Sequence, residues 1–315
     1  MNDPSKGKIL ALAGGVGGAK LVVGLAKTID PTNLMVIVNT GDDERFHGLH
    51  VSPDLDTVMY TLAGLSDPTN GWGIADDSFR ALEMLHRYGA ENWFNLGDKD
   101  LGTHIRRTEL LGEGLPLSEV TKQMCQQLGI ESRLVPMSDH RIQTMLDTEE
   151  GLLTMQEYFV RHRCEPKVSS IFFEGADQSE PSPDFKSALS DSLGLIICPS
   201  NPFLSIGPIL AIPGVRESIE SFDGVRVVVS PIIGGMALRG PAAKLLADLN
   251  FPVSSVGVLQ QYSGLCDIFV IDHQDAHLSD NIRDLGVFPS VTSTIMDTQS
   301  DKERLAKFVV SLIRG

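Results

Sequence analysis

Basic residues are scarce in this chain: 26 Lys and Arg stand against 41 Asp and Glu in 315 residues, a formal net charge of −15. A surface this acidic repels nucleic acid and anionic membrane, so any phosphorylated ligand must be held by backbone amides, a metal ion or a few chosen cations. Cysteine is rare too. Cys125, Cys164, Cys198 and Cys266 lie far apart with no C-x-x-C pair and no zinc spacing, and they read as reduced thiols. No apolar run approaches the roughly 18 residues of a membrane span, and no secretory core follows the polar start MNDPSKGK. The expectation is a soluble, cytoplasmic protein that binds neither nucleic acid nor membrane. Low complexity and internal repeats are absent. The 42% of hydrophobic residues fill one large α/β core with an insertion.

The apolar runs set the architecture. KILALAGG opens as a strand ending in glycines, AKLVVGLAKTI continues at helical period, and LMVIVNT is again continuously apolar. LGLIICPSNP, GVRVVVSPIIGG and CDIFVIDH repeat the pattern, as parallel strands covered on both faces do. Helical segments such as PILAIPGVRESIESF, GPAAKLLADL and DKERLAKFVVSLI separate or follow them. The fold class expected is α/β, a Rossmann-like doubly wound, mostly parallel sheet with ligands at the carboxyl ends of its strands. Residues 1–70 and 150–315 form the core of one domain, and residues 71–150, with helical period and no buried strand, form a mainly helical insertion over the site. LLTMQEYFVRH alternates at period two and reads as a half-buried strand returning to the core.

AGGVGGAK, residues 13–20, stands where α/β proteins cradle phosphate between glycines and a helix N-terminus. A P-loop is excluded, because five residues after Gly14 comes Ala19 and Lys20 is followed by Leu21; G-x-G-x-x-G fails as well, since Gly15 and Gly17 lead to Lys20. Asn39 ends the second strand where a dinucleotide fold wants a carboxylate. A plain tight turn is the blander use, but four glycines in five residues exceed what a turn needs.

GDDERFHGLHVSPDLDTVMY, residues 41–60, crowds Asp42, Asp43, Asp54 and Asp56 together. Such carboxylates suit a hard divalent cation that bridges phosphates; helix capping is the alternative, with Asp54 placed as an N-cap. NLGDKDLGTHIRRTELL, residues 95–111, gathers Asp98, Lys99, Asp100, His104, Arg106 and Arg107, either as a polar-ligand site or as a solvated helix face. PSNPFLSIGP (199–208) and SPIIGGMALRGPAAK (230–244, with Arg239 and Lys244) are two further loops after strands. No nucleophile set of the Ser/His/Asp or Cys/His kind stands out.

In order and number, LAGGVGGAKL, VNTGDDERFHGLHVSPDLDTVMYTLAG, GWGI, LGDKDLGTHIRRTELL, PMSDH, PSNPFLSIGPIL and SPIIGGMALRGPAAKL resemble the 2-phospho-L-lactate transferase family of coenzyme F(420) biosynthesis over nearly the whole chain. The resemblance implies a single transferase domain that joins a guanosine-diphosphate-linked three-carbon phosphoacid to the ribityl hydroxyl of 7,8-didemethyl-8-hydroxy-5-deazariboflavin and releases GMP. The acid is phospholactate, phosphoenolpyruvate or phosphoglycerate. It further implies Mg²⁺ on Asp42, Asp43, Asp54 and Asp56 without fixing the pair, with Asp43, Asp54 and Asp56 as catalytic carboxylates. Deazaflavin contacts are implied at Asp54, Asp56 and Lys99, where many relatives carry Arg. The nucleotide is implied along Gly14, Gly15, Val16, Gly17, Gly18 and Lys20 and at Ser200, Asn201, Ser205, Ile206 and Gly207, completed by the loop from Pro231 to Gly234. A homodimer and a partner guanylyltransferase that makes the donor belong to the same implication. The flat acceptor needs an apolar slot, expected between Trp72 and Trp93–Phe94. Thr154 and Met155 replace a His–Phe pair common in relatives, and residues 66–70 and 154–156 are where choice of acid is expected.

Two rival readings remain. A non-catalytic regulator binding nucleotide sugar shares a similar glycine loop but has less reason to carry SPDLDTVMY and GDKDLGTH. A dinucleotide-dependent oxidoreductase is weakened by the failed glycine count and by Asn39.

Overall fold

The computed structural model describes residues 7–237 and 240–315. The first apolar run is strand β1 (Lys8–Ala13), and the glycine loop passes the chain directly to helix α1 (Gly15–Thr28) and then to β2 (Leu34–Val38). A hairpin of β3 (Glu44–Phe46) and β4 (Leu49–Val51) follows. Its two-residue turn, His47 at φ 52 and Gly48 at φ 81, has the left-handed pair that tight hairpins require. Helices α2 (Pro53–Leu62), α3 (Arg80–Arg87), α4 (Asp98–Gly112) and α5 (Leu117–Gln127) lead to β5 (Arg133–Pro136). Strands β6 (Gln143–Thr148), β7 (Gly151–Thr154) and β8 (Val168–Glu174) form a small antiparallel sheet. The chain continues through α6 (Pro183–Asp191), β9 (Ser192–Ile197), α7 (Gly207–Leu210), α8 (Val215–Glu220) and β10 (Val225–Val229). A short hairpin of β11 (Ile232–Ile233) and β12 (Met236–Ala237) precedes α9 (Ala242–Asp248), α10 (Ser255–Gln260), β13 (Ile268–Ile271), α11 (Ser279–Asp284), β14 (Phe288–Val291) and α12 (Gln299–Arg314).

Seven strands make one parallel sheet in the order β14-β13-β10-β9-β1-β2-β5. Alternation along β1 feeds both faces. Ile9, Ala11 and Ala13 join Leu21, Val58 and Val309 on one side, while Leu10 and Leu12 join Ile37, Ile206 and Phe269 on the other. From β1 the chain runs outward through β2 to β5, then returns to lay β9 on the opposite flank of β1 and moves outward again. The direction of winding reverses between β1 and β9, and loops leaving adjacent strands in opposite directions open a crevice there. That crevice lies where the glycine loop and PSNPFLSIGP begin.

Three expectations change. The stretch 71–150 is helical only between residues 80 and 127; β5 lies within it as the edge of the main sheet and β6 as the middle of the small one. LLTMQEYFVRH is a strand only at Gly151–Thr154, in the small sheet, and then coils as a wide helical turn over Glu157–Arg161. PILAIPGVRESIESF is two short helices, parted by Gly214 at φ 80. No described helix is long and apolar enough to cross a membrane. Arg239 lies outside the described residues.

Candidate active site

The crevice is built by close approach of backbone. Ser200 Oγ accepts from the Gly14 amide at 3.1 Å and donates to the Gly14 carbonyl at 2.8 Å, clamping the glycine loop to the loop after β9. A Cβ on Gly17 would stand 2.3 Å from the Pro199 carbonyl oxygen, and one on Gly18 would stand 2.6 Å from Ser200 Oγ. The glycines are therefore required here by packing. Asn201 caps the following turn, accepting from Phe203 N at 2.9 Å and Leu204 N at 3.2 Å. The result is a cleft of ≈ 660 Å³.

Asn39, fully buried at the end of β2, organises the acidic floor. Its Nδ2 donates to Asp54 Oδ2 at 3.0 Å and to the Leu204 carbonyl at 3.2 Å, while its Oδ1 accepts from Gly41 N at 2.8 Å. Asp54 is the second residue of α2 and not its cap; Ser52 stands at the cap position. Asp54 Oδ1 instead accepts from the first amide of α1, Gly15 N, at 2.7 Å. Burial pushes the Asp54 carboxyl up to about 6 against these two hydrogen bonds. Burial and the neighbouring Asp54 charge push Asp42 well above the usual carboxylate range, and among the described residues Asp42 Oδ1 has no partner. Asp43 is raised by burial; its Oδ2 lies 3.0 Å from His50 Nε2 and accepts from Ser52 Oγ at 2.7 Å, leaving Oδ1 unpartnered among the described residues.

Asp56 has a different environment. Both of its oxygens accept from the Arg107 guanidinium, Oδ2 at 3.1 Å and Oδ1 closer still, with the two side chains 7% and 2% exposed. The four aspartates thus do not form a single cage. Among the described residues no three of His, Cys, Asp and Glu are grouped to hold a metal ion by themselves.

The cleft has two banks. One comprises Gly14, Gly15, Val16, Gly17 and Lys20 with Ser200, Asn201 and Ser205, from the loops after β1 and β9; the other comprises Trp72, Phe94, Asn95, Asp100 and His104, from the segment between α2 and α5. Asp42 and Asp54 line the cleft, as do Asp56 and Tyr60. Met155 and Gln156 form part of the wall, with Asn70 at the 66–70 stretch. Thr154 is turned to Glu44, donating to its Oε2 at 3.2 Å.

Several residues singled out in the sequence do not line the cleft. Lys99 Nζ donates to the Ala75 carbonyl at 2.7 Å, Asp43 sits behind the floor, and Gly18, Ile206 and Gly207 pack behind the loops. Trp93 meets Phe46 edge-on at 5.3 Å, outside the lining, whereas Phe94 both stacks on Phe46 at 3.9 Å and reaches the cleft. Pro231 and Ile233 line it and Gly234 does not. The sequence reading overlooked Tyr60, and also Thr294 and Met296 from the loop after β14. Tyr60 lies four residues after Asp56 on α2 and so shares its face, a usable signal. Thr294 carries none, because Asp272 fixes it through contacts across 22 residues, accepting from Thr294 N at 2.8 Å.

A family model described as 2-phospho-L-lactate transferase CofD matches residues 9–311. The phosphoenolpyruvate transferase of Streptomyces coelicolor is 40% identical over 312 residues, covering 97% of this chain and 98% of that protein. The 2-phospho-L-lactate transferase of Methanosarcina mazei is 35% identical, covering 96% and 99%. Among solved structures, a upf0052-family protein from Bacillus halodurans superposes with a TM-score of 0.65 at 16% identity, over 97% of this chain and 99% of that one, and so shares the fold.

Proposed function

This chain belongs to the CofD family of 2-phospho-L-lactate transferases, and on that premise we propose that it transfers a three-carbon phosphoacid from a guanosine-diphosphate-linked donor to the primary hydroxyl of 7,8-didemethyl-8-hydroxy-5-deazariboflavin, releasing GMP. The observation that carries this reading is the two-banked cleft with buried carboxylates between the banks. The amide-rich loops at Gly14–Lys20 and Ser200–Ser205 suit a diphosphate and its nucleoside. Trp72 and Phe94 of the second bank suit a flat heterocycle, and Asp42 and Asp54 line the same cleft.

The residues present fit a divalent cation, on a smaller set than four aspartates. Asp42 has an unpartnered buried oxygen, and each of Asp42 and Asp54 is held up in pKa by burial, with the Asp54 charge adding to the strain on Asp42. Mg²⁺ is commonly held by one or two carboxylates, with water and substrate phosphates completing its shell, so the lack of a three-residue cage is compatible with it. Asp42 and Asp54 are assigned as its ligands; Asp56 is not, since Arg107 occupies both of its oxygens. Bound Mg²⁺ would neutralise the diphosphate and stabilise charge on the departing GMP.

The protein's own contribution is positioning and electrostatics. The Val16 and Gly17 amides in the first turn of α1, the Gly15 amide being engaged by Asp54, hold the donor together with Lys20, leaving the phosphorus next to the three-carbon acid facing the second bank. The acceptor oxygen bonds to that phosphorus, the bond to the GMP phosphate oxygen breaks, and the hydroxyl proton passes to water. Met155, Gln156 and Asn70, which line the same cleft, are assigned to the acid.

The test is a mass-spectrometric assay with purified protein, Mg²⁺, the deazaflavin alcohol, GTP, each candidate acid and a guanylyltransferase that makes the donor in place. A phosphodiester that vanishes with EDTA supports the reading and identifies the acid; no product with any acid refutes it. Two further parts of the reading, a homodimer and dependence on the guanylyltransferase, are tested by sedimentation and by omitting that enzyme.

A further inference from the structure

The second bank holds an ordered polar group that the transfer chemistry above leaves unused. Asp100 is the third residue of α4, and the start of that helix is tied down twice. Asp77 accepts from Lys99 N at 2.8 Å and Asp100 N at 3.0 Å, while Asp98 accepts from Arg80 N at 3.2 Å and Ala81 N at 3.0 Å. The Asp100 side chain is 14% exposed, and what it exposes faces the cleft.

Two groups fix its carboxylate from behind. Tyr60 Oη donates to Oδ1 at 2.5 Å, and His104 Nε2 lies 3.3 Å from Oδ2, with no other polar partner among the described residues and His104 1% exposed. The His104 tautomer follows from its other nitrogen. Arg107 Nη1 lies 3.4 Å from His104 Nδ1, and a guanidinium only donates, so Nδ1 accepts and Nε2 carries the hydrogen turned towards Asp100. A carboxylate has about four acceptor sites. Those not facing Tyr60 and His104 open to the ligand.

We propose that Asp100 binds the secondary hydroxyls of the acceptor's polyol chain, with Tyr60 and His104 as the positioning residues that aim it. This rests on the acceptor assigned above. Burial alone would raise the Asp100 carboxyl, but the hydrogen bonds from His104 and Tyr60 and the Arg107 charge outweigh it and hold it below the ordinary value. Asp100 is thus an anionic, acceptor-only group. It repels a diphosphate and takes a hydroxyl or N–H donor. The donor substrate's phosphates have their amides across the cleft, and the ring has Trp72 and Phe94, so the chain that joins ring to reacting hydroxyl is what passes Asp100.

The experiment measures equilibrium binding of two acceptors, the natural polyol and an analogue that keeps the chain and its terminal hydroxyl but lacks the secondary hydroxyls. Wild type should prefer the polyol by about 10–100-fold, the range for hydrogen bonds to a charged group. Asp100→Ala should bind the polyol weakly and barely distinguish the two, with KM for the acceptor rising more than kcat falls. Tyr60→Phe, which keeps the core shape, should lose part of the preference and carries the test if Asp100→Ala does not fold. Wild-type discrimination in Tyr60→Phe, or in a folded Asp100→Ala, overturns the proposal. Failure of wild type to bind either acceptor overturns the acceptor assignment itself.

Discussion

Replacing Arg107 with methionine is the sharpest probe of how the acidic residues divide their work. Its guanidinium is buried and donates to both oxygens of Asp56, and both charges are drawn out of water. Removing one member of such a pair leaves the other buried and uncompensated, a loss of about 3–5 kcal/mol; replacing both with apolar groups of similar volume is often close to neutral. Against a total stability of roughly 5–15 kcal/mol for a folded protein, Arg107→Met alone should be severe. Asp56→Leu combined with Arg107→Met should recover at least about 2 kcal/mol of that loss.

Urea unfolding in EDTA, followed by circular dichroism, gives both values from one double-mutant cycle. A loss below about 1 kcal/mol for Arg107→Met, or a double variant as unstable as the sum of the singles, refutes the assignment of Asp56 as a structural counter-ion. The same double variant tests the metal assignment. If Asp42 and Asp54 hold the cation, the double variant keeps the Mg²⁺-linked rise in stability, whereas a four-aspartate site would lose it.

Three other outcomes are expected. Mg²⁺ at 100 times its dissociation constant should stabilise wild type by about 2.7 kcal/mol and Asp42→Asn hardly at all; equal thermal shifts would remove Asp42 from the site. In EDTA, Asp54 with its carboxyl raised from 3.8 to about 6 keeps in the native state a proton that the unfolded chain releases. Its contribution therefore falls by about 3 kcal/mol as pH rises from about 4 to above 6, and Asp54→Asn should lessen the fall of the urea midpoint across that window, Asp42 and Asp43, also raised by burial, supplying the rest. Gly17→Ala places a Cβ against the Pro199 carbonyl and should weaken GDP binding at least about tenfold by calorimetry, roughly the loss of one good contact. Gly102→Ala on α4, with nothing within 4 Å, is the control and should be neutral or stabilising by up to about 1 kcal/mol.

Most of the sheet was legible because a parallel strand covered on both faces is continuously apolar, as LMVIV and VRVVV nearly are, and glycines punctuate the ends. Strand β5 escaped because RLVP is only four residues long and its first side chain is exposed, too brief to stand out beside amphipathic α5. LLTMQEYFV misled because its alternation is real but short: four residues pair with β6, and the next apolar side chains belong to a helical turn. The glycine and acidic loops were legible since each is contiguous. Their partners were not. Gly14 meets Ser200 across 186 residues and Asp56 meets Arg107 across 51, and nothing local to either member announces the other. Resemblance supplied the family and the motifs but could not say which carboxylate is neutralised.

The spacing within the two helices nevertheless contains that answer. Asp56 and Tyr60 are four apart on α2, and Asp100, His104 and Arg107 recur at four and three on α4, so each set lies on one face of its helix. Pairing the faces fixes two cross-links at once, Asp56 with Arg107 and Tyr60 with Asp100, one an ion pair and one a short hydrogen bond. Neither link suffices alone, since a single pair leaves the helices free to turn about it. Two links, one turn apart on α2 and two turns apart on α4, set both the register and the rotation of α4 against α2. Asp54 lies two residues before Asp56, so the anchor that holds α4 also sets the height of Asp54 at the floor, with Gly15 and Asn39 fixing its direction. A change at Arg107 alone, which leaves Asp56 buried and uncompensated, should therefore disturb both banks together, Asp54 at the floor and Asp100 beyond it, whereas the paired apolar replacement leaves no such charge to relocate.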